Sequence, residues 1–338
     1  MNQPGESDWD ALYQAALAFK KSSPWTWMSN GDFFAVENPY DGEVGYCSVL
    51  GHAGQEFGLG IFMGTAGYQG FIRVLEGAVE PEDFEEVVMM PSISMLFTDR
   101  NSLRKEDYEV IRSLGLSFRG RNEWPLFRSQ RPGYVAWFLE KEEALFLTAA
   151  IQQTLQVARR LQNGDLNLGE GQQPDAVLTS CYRDGNWLDE WRQPPEQQKF
   201  DSEGITPVAE AELHLLHNRT GQPTGRWELD IFLMPVSILS TTDRPYYPVL
   251  FLIVDSETGM IIDANLTEPW LTLSQKREEV IRMLKKMNQL PAKMQVKSAG
   301  VRRIVEPVTR LLGIKLSVGS LPRLKKARTA LEERFSER

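Results

Sequence analysis

The segment WPLFRSQRPGYVAW, residues 124–137, brings two arginines and four aromatic rings close together in the chain. Guanidinium groups and aromatic faces together can hold a phosphate, a nucleobase or a peptide. Trp124, Arg128, Arg131, Tyr134 and Trp137 are therefore binding candidates. The same residues would equally suit a proline-punctuated loop pinned by its aromatics, with the arginines stacked on them. A second concentration of chemistry lies at the other end. Residues 269–338 hold 17 Lys and Arg against 6 Asp and Glu, a net of +11, whereas residues 1–268 carry −20 and the whole chain −9. A basic segment of this kind can bind nucleic acid, and Lys285, Lys286, Lys297, Arg302, Arg303, Lys325 and Lys326 would make the contacts. It could also dock on the chain's own acidic half, because acids such as Glu278 and Glu279 interleave with the bases.

Other catalytic patterns are weak. GLGIFMG (58–64) scans as G-x-G-x-x-x-G, but Phe57, Leu59, Ile61 and Met63 alternate with small residues. That is the period of a strand with one small face, not of a turn that presents amides to a pyrophosphate. GTAGYQG, just after it, could turn into a helix and meet an anion. His52, His214 and His217 do not make a zinc set, since the last two share a helical face without a third ligand. Cys47 and Cys181 sit in apolar, strand-like contexts that suit small buried residues better than nucleophiles. No metal ligand set and no cofactor is expected.

At 338 residues, 42% hydrophobic and 25% charged, the chain has the make-up of a soluble globular protein of about two domains. Two cysteines without CxxC spacing exclude a disulfide framework and point to a reducing cytoplasm. The opening MNQPGESDWDALYQ lacks the basic and apolar regions of a secretion signal. The longest apolar run, VLFLIV (249–254), has strand length, so no membrane association is expected.

These residues need elements to hold them. Trp9, Leu12, Ala16 and Phe19 mark a helix over 8–20. Glycine-rich strands are expected over 33–75, a short helix at EPEDFEEVVMM, a strand at 92–99, and helices over 104–115 and 142–162. Residues 165–205 are rich in Gly, Pro and Gln and read as a linker with a hairpin about Asp184-Gly185. Domains of 1–164 and 206–338 follow. In the second, Thr206-Pro207 starts a helix. Strands at 226–236, 248–255 and 260–266 come next, then a helix over 272–289, a strand at KMQV, a helix over 301–313 bent at Pro307, a strand over 314–318 and a final helix over 321–335. The order β-β-β-α-β-α-β-α implies a mixed sheet with helices on its faces. The fold class is α+β for the first domain and α/β for the second.

That order resembles the ribonuclease-H-like core of retroviral integrases and DDE transposases, on WELD (227–230), LFLIVDSETGMII and LPAKMQVKSAG (290–300). The resemblance covers residues 226–338. It implies metal-binding acids at Asp230, Asp255 and Glu332 or Glu333, with a middle acid at Ser298 that this chain lacks. Two-metal phosphoryl transfer needs several carboxylates about its cations. A hydroxyl at Ser298 beside the ammonium of Lys297 opposes that. The whole chain also resembles an uncharacterised bacterial family of two-domain proteins, on SPWTWM, GEVGYCSVLG, FGLGIFMGTAGYQG, WPLFRSQRPGYVAWFLEKEE and YYPVLFLIVDSETG.

The expectation is a non-enzymatic binding or assembly module, with nucleic acid as a partner through the basic segment. One alternative is a metal-dependent nuclease or phosphodiesterase in which Asp230, Asp255 and Glu332 or Glu333 still converge. Another is a protein-binding adaptor with an exposed apolar patch about Trp124 and Trp137. Oligomeric state cannot be read from these patterns.

Overall fold

The computed structural model describes residues 2–79, 83–169, 175–196, 207–220, 222–239 and 244–336. The chain divides into two compact units, Met1–Pro132 with Ala136–Gln198 and Gly133–Val135 with Lys199–Arg338.

The first unit runs α1 (Glu6–Ser22), β1 (Phe34–Glu37), β2 (Val44–Leu50), β3 (Phe57–Met63), α2 (Gly64–Leu75), α3 (Phe84–Met89), β4 (Ser92–Thr98), α4 (Lys105–Ser113), β5 (Trp124–Gln130), α5 (Lys141–Asn163), β6 (Val177–Arg183) and β7 (Asn186–Arg192). Its strands form one sheet in the order β5-β4-β3-β2-β1-β6-β7, antiparallel except where β1 meets β6. Alternation sets the faces. Ile93, Met95 and Phe97 of β4 point into a core with Cys47, Ile61 and the buried sides of α1 and α5. At the starts of α1, α4 and α5, Asp8, Asp107 and Glu143 each accept the amide of the residue before the helix, at 2.8, 2.9 and 2.8 Å. These bonds satisfy donors that the helix itself leaves free. Gly58 has the close packing expected of it: a Cβ there would lie 2.0 Å from the Met95 carbonyl oxygen.

Three expectations change here. Residues 64–75 are the helix α2, not a further strand; Tyr68 and Phe71 pack on Tyr46, Phe33 and Phe62 of the sheet. Residues 124–130 are a strand, not a loop. Pro125 fits because β5 is an edge strand, where a missing amide costs no ladder bond. The hairpin at Asp184-Gly185 forms as β6–β7, but it belongs to the first sheet, through the parallel pairing of Ala35 with Thr179. Parts of the expected linker, and the expected cap Thr206, lie outside the described residues.

The second unit runs α6 (Pro207–Thr220), β8 (Arg226–Leu233), β9 (Val249–Asp255), β10 (Ile261–Thr267), α7 (Leu273–Lys285), β11 (Lys293–Val296), α8 (Ala299–Leu311), β12 (Lys315–Val318) and α9 (Pro322–Ser336). The sheet order is β10-β9-β8-β11-β12. β8, β9 and β10 are an antiparallel meander, and β11 and β12 lie parallel to β8. A meander followed by two parallel strands with crossover helices is the ribonuclease-H-like arrangement. Phe232, Leu250, Leu252 and Val254 face α9, packing on Leu321 and Leu324. Trp227, Leu229, Phe251 and Ile253 are buried on the opposite face. Full burial of each such side chain is worth about 1.5–3 kcal/mol, which strongly fixes the register and therefore the direction of every polar side chain between them.

Candidate functional site

Two buried carboxylates interrupt the apolar face of β8 beneath α9. Glu228 accepts the amide of Leu324, in the first turn of α9, at 2.7 Å. Asp230 is 7% exposed and lines a cleft of about 480 Å³ with Lys297, Ser320, Lys325, Arg328 and Glu332. Clefts at the carboxyl ends of parallel strands are the usual ligand sites of such sheets. Burial pushes the Asp230 carboxyl up to about 6, while the Ile231 amide and the charges of Arg328 and Lys297 pull it down. The Ile231 amide donates to Asp230 Oδ1 at 3.0 Å. Arg328 lies over the Phe232 ring at 4.1 Å, and its Nε donates to Glu332 Oε1 at 2.7 Å. The cleft therefore sets a buried and a half-buried carboxylate beside cations of the chain itself, with Arg328 and Glu332 directly paired.

The register decides what else can join. Val296 pairs with Leu229, so the next residue, Lys297, falls on the side of Asp230. Ser298, expected there, instead starts α8 and accepts the Val301 amide at 3.2 Å. Asp255 pairs with Trp227, and Asp230 with Leu252. An odd separation along β9 places Asp255 on the opposite face from Asp230. It is spent on a turn, accepting the amides of Glu257 at 3.0 Å and Thr258 at 2.7 Å and the Thr258 hydroxyl at 2.8 Å. The Thr258 bonds hold it below the usual carboxylate range. Glu333 is exposed, while its neighbour Glu332 lines the cleft. Among the described residues, no group of three His, Cys, Asp or Glu side chains could hold a metal ion. The convergent acids of the nuclease alternative are not present: its first two stand on different faces of the sheet.

The aromatic–arginine segment is committed internally. Trp124 is 8% exposed and part of the core. Arg128 makes two bonds to Asp107, at 2.8 and 2.6 Å. Arg131 pairs with Glu140 at 3.0 Å and Glu143 at 2.9 Å. Trp137 is covered by the Arg104 guanidinium at 4.3 Å. Tyr134 belongs to the second unit, where it stacks on Trp270 at 5.0 Å. Burial of Trp124 removes the exposed patch that the adaptor alternative requires.

The basic residues divide. Lys285 pairs with Glu212 at 3.1 Å, Lys286 with Asp263 at 3.0 Å and Arg302 with Glu306 at 2.8 Å. Lys297, Arg303, Lys325 and Lys326 are exposed. Glu228 and Arg328 were not anticipated. Their signals were available: Glu228 lies one strand period before Asp230, and Arg328 one helical turn before Glu332.

Residues 9–179 match the model of a domain of unknown function, DUF7309, over just over half of the chain. The chain belongs to the DUF7309 family. In this DUF7309 protein a second model, of the domain of unknown function DUF6930, matches residues 212–332 and so contains every residue of the Asp230 cleft. No curated protein matches. Among solved structures, the DUF7309 chain is similar to the catalytic core domain of BIV integrase, at 17% identity over 33% of this chain and 68% of that one, with a TM-score of 0.25. It is also similar to a chain of the simian T-cell lymphotropic virus intasome in complex with PP2A regulatory subunit B56 gamma, at 16% identity over 34% and 42%, with a TM-score of 0.26. In the described residues, no helix is long and apolar enough to cross a membrane.

Proposed function

We propose that the second unit is a non-catalytic module that binds nucleic acid along the mouth of the Asp230 cleft. The observation that carries this reading is the position of Lys297, on the same side as Asp230. An ammonium there, with the Arg328 guanidinium, supplies from the chain the positive charge that divalent ions would otherwise bring. The chain's own cations offset part of the cost of the buried acid, and Lys297, Lys325 and Lys326 are exposed, where they can meet a phosphate backbone. A reducing compartment such as the cytoplasm fits the same reading, because Cys47 and Cys181 are both buried free thiols.

The test is a salt-titrated binding measurement with labelled duplex DNA and single-stranded RNA. Three phosphate contacts predict that log K falls with log salt at a slope of about −2 to −3. Lys297→Glu combined with Lys325→Glu should abolish the binding. Absence of affinity for both probes at low salt contradicts the reading.

A further inference from the structure

The second unit has another cleft, of about 510 Å³, on the face toward which Ile231 points. It lies between the first turns of α7 and α8. Its wall carries two basic side chains, Lys276 and Arg303, and no carboxylate. Among the described residues, neither makes an ion pair. Lys276 is half-buried, and burial holds its ammonium below the usual lysine range. Buried charges are ordinarily paired, because desolvation without a partner is costly. Here the cost stands uncompensated at a place where an anion could enter.

The remaining polar groups are donors. The hydroxyls of Thr272 and Ser298 accept the amides of Gln275 and Val301, each at 3.2 Å, which leaves their own protons free to donate into the cleft. We infer that this cleft binds a phosphoryl dianion, as inorganic phosphate or the terminal group of a phosphate monoester, through Lys276 and Arg303. Two cations match the charge of a phosphate group near neutral pH. The guanidinium offers two parallel donors to its oxygens, and the ammonium a point charge. Asp230 and Lys297 take no part, so this site is independent of the nucleic-acid reading.

The experiment is calorimetric titration of the full chain with inorganic phosphate and, separately, with a nucleoside 5′-monophosphate. Saturable one-site binding of at least one probe is expected. Tighter binding of the monophosphate would identify a monoester, and equal binding the phosphoryl group alone. Lys276→Met keeps the apolar stem of the lysine, and Arg303→Gln changes an exposed position. Each should weaken the binding by about tenfold or more, and Lys276→Met should retain oligonucleotide affinity. The inference is overturned if neither probe binds saturably to the unsubstituted chain, or if both folded variants bind as it does.

Discussion

Asp230 and Asp255 stand on opposite faces of one sheet, the first across from Leu252 and the second across from Trp227. Neighbouring strands cannot bring such a pair around one ion without a change of register. A one-residue slip of β9, which would do so, would also turn Leu250 and Leu252 away from α9. The direction of the two acids is thus held by the apolar residues around them.

Asp230 should destabilise the folded chain at neutral pH. Its carboxyl is raised from 3.8 to about 6, so the folded state holds the proton more tightly than the unfolded state. The associated stability is fully present below about pH 4 and is lost as pH rises through about 6. Asp230→Asn, which cannot ionise, should be more stable than the unsubstituted chain by about 1–3 kcal/mol at neutral pH. The gain should vanish below about pH 4. Urea denaturation across this range measures it, and a variant less stable at neutral pH would contradict the burial argument.

Lys297 should be felt by Asp230 as a charge. Lys297→Ala removes one of the influences that lower the Asp230 pKa, so the carboxyl should titrate above about 6. Carbon-detected NMR of the side chain follows this directly. An unchanged or lower titration point would mean that the ammonium does not act on the cleft.

Glu228 should hold the start of α9. Glu228→Ala leaves the Leu324 amide without its acceptor under a packed helix, at a cost of about 1–3 kcal/mol. Hydrogen exchange at Leu324 should rise sharply, while amides of the first unit keep their protection. Equal exchange in the variant would remove the capping role.

Much of the second unit was legible because its signals are strong. Val249 to Val254 are apolar without interruption, SETG breaks the chain, and α7 and α8 carry clear helical stripes. The cleft was legible only in part: Asp230 and Glu332 line it, whereas Asp255 is on the other face of the sheet and the place expected of Ser298 belongs to Lys297. The strand period extends past Val296 and selects Lys297, whereas Ser298 follows the rule that a hydroxyl residue begins a helix. Glu228 stayed hidden because an acid in mid-strand reads as solvent-facing until α9 is placed over it. In the first unit, Gly64, Ala66, Gly67 and Gly70 dilute the apolar stripe of α2. Gly67 shows what they are for: a Cβ there would lie 2.7 Å from the Phe62 carbonyl carbon. The hairpin β6–β7 resembled a linker because β7 is a largely exposed edge strand with polar residues.

Gly58 should tolerate no side chain. Gly58→Ala would force a methyl group into the Met95 carbonyl, and separating β3 from β4 should cost about 1–3 kcal/mol or more. Thermal denaturation of the variant checks this, and an unchanged midpoint would show that the two strands can part without penalty.

The most direct test of the central claim is incubation of the purified chain with end-labelled DNA and RNA in the presence of magnesium or manganese, resolved on a denaturing gel. With Lys297 and Arg328 supplying the positive charge beside Asp230, the strands should be retained by the protein and recovered at full length. Shortened products that depend on Asp230 and on the added metal would contradict it.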